Sequence, residues 1–302
     1  VTGAGDLTAL AAYQAGLFYV QDPAAKLAVL CAGLRPGMRV LDCCAAPGGK
    51  SFAAAIAMEN TGSITSCDIH EKKANRIIGG MLWLKMEKIN VGTAIDLSGL
   101  ELDTIEETEQ EFRIGAMATL RMLEQHPGFH AYTNGAAREA VRHIVGVQFR
   151  NLATVGGSVY GRFGFSDVLT LLLAMQTDVE LYKGGIVPLA EFVKMPYDRD
   201  ILVRVIVHKE QAAFCYRSVR PTRTDFPALT CCAARTGDGQ YRFAVGARPM
   251  PAVLVCPSCA VQDMPAAVQQ AVTTGSNIRG SAAYRRHLTG VLVKRCIEQL
   301  EQ

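Results

Sequence analysis

Apolar positions in this chain fall into short runs separated by glycine-bearing turns, and their period switches repeatedly between that of a strand and that of a helix. Near the start, Arg39 to Asp42 reads as a buried strand, Ala45 to Lys50 as a tight turn and Ser51 to Met58 as an apolar helix. A second strand, Ser63 to Cys67, ends at Asp68. Ile77-Ile78 then leads into Gly79-Gly80 and the nearly uncharged run Met81 to Met86. Further on, Ala136 to Val145 has helical spacing, Phe149 to Thr154 reads as extended, and Gly156-Gly157-Ser158 makes another glycine turn. Ser166 is a natural N-cap for the apolar helix Asp167 to Met175. In the last third, Phe214 to Ser218 and Tyr241 to Gly246 alternate like strands, and Ser281 opens a helix that runs to Leu300. On that helix Tyr284, Leu288, Val291 and Leu292 form an apolar stripe, which leaves Arg285, Arg286, His287, Lys294 and Arg295 as a solvated basic face.

Two of these patterns carry candidate chemistry. A glycine pair at a strand end lets main-chain amides approach a phosphate, because no side chain blocks the way. The chain has such pairs at Gly48-Gly49, Gly79-Gly80 and Gly156-Gly157. Asp68, at the end of a strand, is placed to accept hydrogen bonds from a ribose diol. Glycine turns that converge on one ligand suit a dinucleotide gripped at its diphosphate.

Composition narrows the choice. With 302 residues, 49% apolar and 20% charged, the chain has room for two or three packed domains. A net charge of +3 is too mild for a nucleic-acid footprint. The longest apolar runs, such as Val168 to Met175 interrupted by Thr170, fall far short of a membrane span. Ten cysteines, two pairs of them adjacent, read as reduced core thiols of a cytoplasmic protein. The spacing Cys256-Pro-Ser-Cys259 lacks the second pair that a zinc or iron-sulfur site needs, so no metal is expected.

The segments Gly16 to Leu30, Pro36 to Ser51 and Ser63 to Lys73 resemble bacterial ribosomal RNA cytosine-5 methyltransferases. That resemblance implies an S-adenosylmethionine site lined by Cys44, Ala45, Ala46, Pro47, Gly48, Gly49 and Lys50, with Asp68 on the ribose. The family's chemistry requires a cysteine thiolate and an Asp-x-Pro-Cys motif, and neither follows. Cys256-Pro257 lacks the preceding acid, and Thr230-Cys231-Cys232 does not supply it. The site is therefore read as vestigial, in a partial Rossmann-like segment spanning residues 1–75.

From Arg76 onward the resemblance is to a different family. Ile77 to Leu100, Arg150 to Tyr182, Ile186 to Phe192 and Gly280 to Arg295 are similar to the FAD-binding subunit of molybdenum hydroxylases, such as xanthine dehydrogenase and carbon monoxide dehydrogenase. This implies an α+β protein with an FAD-binding α/β domain of molybdopterin dehydrogenase type over 76–207 and a small α+β domain over 208–302. By the same resemblance Gly79, Gly80, Met81, Leu82, Trp83 and Leu84 form a first diphosphate loop. Thr154, Gly156, Gly157 and Ser158 form a second, and Ser166 and Asp167 bind sugar or ribityl hydroxyls. Leu202 corresponds to a residue packed on the flavin and Arg217 to a basic residue approaching it, although core packing and a solvated charge also account for these two. The chain departs from the family pattern where Met81-Leu82 replaces the usual Thr-Asp, and where methyltransferase-like sequence replaces the first strand and helix. The join is placed between Glu71 and Ile78.

The expectation is then a chimera acting as an FAD-binding electron-transfer subunit. FAD is its cofactor, an iron-sulfur subunit and a molybdopterin-binding subunit are its partners, and NAD is an example of the acceptor. No residue is expected to act as nucleophile or general base, because the cofactor carries the redox chemistry. The alternatives are a fragment of an S-adenosylmethionine-dependent ribosomal RNA methyltransferase, or an inactive remnant.

Overall fold

In a computed structural model, residues 23–42, 49–66, 74–78, 91–97, 99–198 and 200–302 are described. The chain divides into two units, one drawn from the residues up to Ile95 and the other comprising Asp96–Gln302 with a short segment before it.

In the first unit, helix α1 (Pro23–Cys31) precedes β1 (Arg39–Asp42), α2 (Gly49–Ala57) and β2 (Ser63–Ser66). β1 and β2 pair in parallel, Arg39 opposite Ser63 and Asp42 opposite Ser66. A parallel pair needs a crossover, and α2 supplies it. The expected strand and helix are thus present, although β1 is not buried, and the expected turn falls on residues 45–48 outside the described residues; Ser51 in α2 donates to Asp42 Oδ2 at 2.8 Å. The apolar cluster is small: Val29, Ala53 and Ala54, with Leu34, Ala57 and Ile64 against it. Leu27, Leu30, Leu41, Phe52 and Ile56 stay exposed. Strands β3 (Ala74–Ile78) and β4 (Val91–Asp96) form a two-stranded sheet of their own.

The second unit opens with β5 (Ile105–Glu107) and β6 (Glu111–Gly115), followed by short helices α3 (Leu120–Gln125), α4 (Pro127–Tyr132), α5 (Ala136–Val141), α6 (Val147–Arg150), α7 (Val155–Tyr160) and α8 (Asp167–Leu173). Then come β7 (Thr177–Leu181), β8 (Gly185–Pro188), α9 (Leu189–Phe192) and β9 (Leu202–His208). The five strands order as β5-β6-β9-β7-β8, every pair antiparallel. The chain ends with β10 (Ala212–Val219), β11 (Leu229–Thr236), β12 (Tyr241–Gly246), β13 (Val253–Val255), α10 (Met264–Ala271) and α11 (Ala282–Leu300). These four strands pair in sequence order, all antiparallel.

Strand alternation makes this last sheet a partition. Phe214, Tyr216, Cys232, Ala234 and Ala244 face one core, shared with Leu169, Leu172 and the five-stranded sheet. Cys215, Cys231, Ala233, Phe243 and Val245 face a second core, closed by Val268, Leu292, Val293 and Cys296 of α10 and α11. Among the described residues no helix is long and apolar enough to cross a membrane.

Three local expectations are corrected. Phe149 to Thr154 is not extended: Phe149 and Arg150 belong to α6, and the chain turns before Thr154. Arg150 holds that turn in place, because its buried guanidinium donates to Glu124 at 3.0 Å and to Ile144 O at 3.1 Å. Gly156-Gly157 is not a free turn but the start of α7. On α11, Arg285 is not solvated but fully buried, whereas Tyr284 is 45% exposed.

The Glu124 cluster also fixes an acid limit. Burial raises the Glu124 carboxyl, but hydrogen bonds from Arg121 and Arg150 outweigh it and hold the group below its usual range. A carboxyl depressed in the fold contributes stability that is complete above its unfolded pKa of about 4.3 and is lost as pH falls through the folded value. Glu124→Gln should lose about 3 kcal/mol at neutral pH by leaving Arg150 buried without a counter-charge. Urea melts should show that deficit shrinking below about pH 4, and a constant deficit would refute the assignment.

Candidate functional site

The site is built around the start of α7. Thr154 is extended, with φ −102° and ψ 153°, and caps the helix: its Oγ1 accepts from Gly157 N at 3.1 Å. Val155 N donates to Ala118 O at 2.8 Å and Gly156 N to Ala116 O at 2.9 Å, which ties the helix start to the chain leaving β6. The two glycines have different jobs. A Cβ on Gly156 would lie 2.6 Å from Ala116 O and 2.8 Å from Ala116 Cα, so Gly156 is required by packing. A Cβ on Gly157 would meet only Thr154 Oγ1, at 3.0 Å, and Gly157 is exposed. Neither adopts a positive φ. Gly157 is therefore the point where this loop is open to solvent. The Thr154 hydroxyl beside it accepts one bond, and its own proton has no acceptor among the described residues.

The other hydroxyls here are spent inside the protein. Ser158 Oγ donates to Thr154 O at 2.9 Å. Ser166 Oγ donates to Ser158 O at 2.9 Å and accepts from Leu169 N at 3.1 Å, capping α8 as expected. Asp167 is 4% exposed, and its Oδ1 accepts from Tyr216 Oη at 2.5 Å and from Arg220 Nη2. Burial pushes this carboxyl up, against the opposing Arg220 charge and the two hydrogen bonds. Arg220 also donates to Asp225 O at 2.8 Å, so one guanidinium joins α8, β10 and the following loop.

Tyr216 and Arg220 escape sequence reasoning. Tyr216 lies among the other polar residues of β10, Arg217 and Ser218, and Arg220 follows the strand, so no local pattern marks this pair out, and the acid they hold is not revealed as buried by the sequence.

The structure does not bring Arg217 to Asp167. It lies on the strand face opposite Tyr216, exposed, and donates to Gln299 Oε1 at 2.8 Å. Leu202, 4% exposed, opens β9 within the core shared by both sheets. Gly79, Gly80, Met81, Leu82, Trp83 and Leu84 lie outside the described residues, as do Cys44, Ala45, Ala46, Pro47, Gly48 and Asp68. Gly49 and Lys50 form the first turn of α2. Among the described residues no group of three or more His, Cys, Asp or Glu is placed to hold a metal ion.

Comparison with known proteins gives this geometry a family. Residues 54–209, just over half of the chain, match the family model described as the FAD binding domain in molybdopterin dehydrogenase. YgfM of Escherichia coli (strain K12) is 28% identical over 204 residues, covering 66% of this chain and 77% of that protein. In structure, the chain is similar to the carbon monoxide dehydrogenase from Hydrogenophaga pseudoflava, with TM-score 0.67 and 21% identity over 75% of this chain and 89% of that one. A partial likeness of another kind is to the probable ribosomal RNA small subunit methyltransferase B of Bacillus subtilis (strain 168), 42% identical over 65 residues, which is 22% of this chain and 14% of that protein. The family model spans α7, α8 and both loops around them, and on that ground the chain belongs to the family of the FAD binding domain in molybdopterin dehydrogenase.

Proposed function

We propose that this chain is the flavin subunit through which a molybdenum hydroxylase passes electrons from an iron-sulfur subunit to an acceptor such as NAD, with the molybdopterin cofactor on a further chain. The observation that carries the reading is the family match over residues 54–209, within which Gly157 stands bare and exposed beside a hydroxyl with an unspent proton. This donor set fits a diphosphate: an open glycine permits close approach, and Thr154 supplies a hydrogen bond. When bound, FAD supplies the redox chemistry. The chain's own residues hold and orient it. In this reading Thr154 and Gly157 meet the diphosphate. Ser166 and Asp167, assigned by resemblance to the sugar hydroxyls, stand behind them in a frame already closed by Tyr216 and Arg220. Gly79 to Leu84 complete the grip.

Anaerobic mixing of the photoreduced, FAD-loaded protein with NAD tests the acceptor. Reoxidation of the flavin with matching formation of NADH is expected. Flavin that stays reduced with NAD, yet reoxidises with a quinone, would exclude NAD.

A second reading attaches to residues 1–75, favoured by the partial methyltransferase likeness and by the parallel β1, α2, β2 unit. We propose that this segment derives from a methyltransferase and carries a vestigial site at Cys44 to Lys50 and Asp68. The gene sequence across codons 70 to 80 tests that origin.

A further inference from the structure

A cleft of about 950 Å³ runs between α5 and β10 in the second unit, away from the start of α7. Consecutive residues Phe214 to Ser218 all line it, so it follows the outer edge of β10, where successive side chains point to opposite faces. Five guanidinium groups, from Arg138, Arg142, Arg217, Arg220 and Arg223, face one carboxylate, Glu139.

Their partners show how much charge is left over. Glu139 neutralises Arg142 at 2.9 Å, and Asp167 neutralises Arg220. Arg217 donates to the neutral Gln299 and has no carboxylate partner among the described residues. Arg138 and Arg223 are exposed, and neither has a carboxylate partner among the described residues. Three positive charges thus converge uncompensated on one concavity. The field is felt inside it: burial, then Arg142, Arg220 and Arg223, hold the His143 imidazole below its usual range.

From this geometry we propose that the α5–β10 cleft binds a di- or triphosphate group at a site separate from the flavin loop. Guanidinium forks match phosphate oxygens in pairs, and the volume lies at the upper end of the small-molecule range of about 300 to 1,000 Å³. The phenyl and phenol rings in the lining, Phe214 and Tyr216, are buried, so the cleft presents phosphate donors without a stacking face for a base. Inorganic polyphosphate and the tail of a nucleotide share this chemistry.

Calorimetric titration of the FAD-loaded protein with tripolyphosphate, ATP and adenosine tests the proposal. Tripolyphosphate and ATP should bind and adenosine should not. An ATP affinity equal to that of tripolyphosphate assigns the site to the phosphates alone, whereas tighter ATP assigns it to a nucleotide. The double variant Arg138→Glu, Arg223→Glu should weaken both by at least about a hundredfold, because both side chains are surface groups and their charge would reverse. Its FAD content should be unchanged, and Arg138→Gln, Arg223→Gln should fall between. No binding of tripolyphosphate, or binding untouched by the double variant, would overturn the site. Release of FAD by tripolyphosphate would show that the cleft belongs to the flavin. The same titration on flavin-free protein still reads the cleft if the flavin assignment fails.

Discussion

Replacing Arg285 by Leu should destabilise the protein by about 3 to 5 kcal/mol, although the new side chain is apolar and the position is wholly buried. Arg285 is the largest fully buried side chain among the described residues. Nε donates to Ala228 O at 2.7 Å and Ala247 O at 3.2 Å. Nη1 donates to Gly275 O at 2.9 Å and to Gly280 O, and Nη2 to Asn277 Oδ1 at 2.5 Å. One planar fork thus ties the entry of β11, the exit of β12 and the loop before α11 to the helix. Leucine would remove the donor from the buried carbonyls of Ala228 and Ala247 and from the part-buried carbonyl of Gly275, and each such group costs about 1 to 3 kcal/mol where water cannot replace the lost bond. Lysine keeps the charge but cannot fork, so Arg285→Lys should recover only part of the loss. Urea denaturation of the three proteins measures this. A Leu variant within about 1 kcal/mol of the parent would mean that water replaces the guanidinium and that the fork is not what joins these segments.

What the sequence reveals and what it hides follow one physical division. The caps at Ser166 and Ser281 and the strand Tyr241–Gly246 were readable because each is written in a few neighbouring residues. The buried face of α11 runs through Arg285, Leu288, Thr289, Leu292, Val293, Cys296 and Ile297, a regular helical stripe whose first member is a cation. Hydrophobicity alone excludes Arg285 from that stripe, since acceptors distant in sequence, the carbonyls of Ala228 and Ala247 among them, make its burial tolerable. The same holds at the candidate site. The glycine pair and Ser166 stand out locally, but the partners of Asp167 come from β10 and the residue just after it, about fifty residues away, and no local pattern announces them. Arg217 is assigned to the flavin by resemblance alone, and strand alternation puts its side chain on the face opposite Tyr216, where it donates to Gln299.

The two adjacent glycines at α7 should fail in different ways when substituted, and the contrast separates scaffold from binding surface. Gly156→Ala would drive a Cβ to within 2.6 Å of Ala116 O, against backbone rather than a movable side chain. It should therefore cost about 1 to 3 kcal/mol of stability, as overpacking does. Gly157→Val meets open space apart from Thr154 Oγ1, so it should melt within a few degrees of the parent. Its branched side chain would nevertheless stand where the diphosphate must approach. FAD affinity should fall by at least about a hundredfold, which is close to 3 kcal/mol. Thermal melts and retained flavin, measured on both variants, distinguish the two effects. A Gly157→Val protein with parental FAD affinity would remove this loop from the site.

The most direct measurement is titration of the flavin-free parent protein with FAD and with FMN, followed by flavin fluorescence. If the chain binds its cofactor through a diphosphate grip that includes Thr154 and Gly157, FAD should bind in preference to FMN, which lacks the adenylate half. Equal affinity for the two, or no binding of FAD at all, would contradict it.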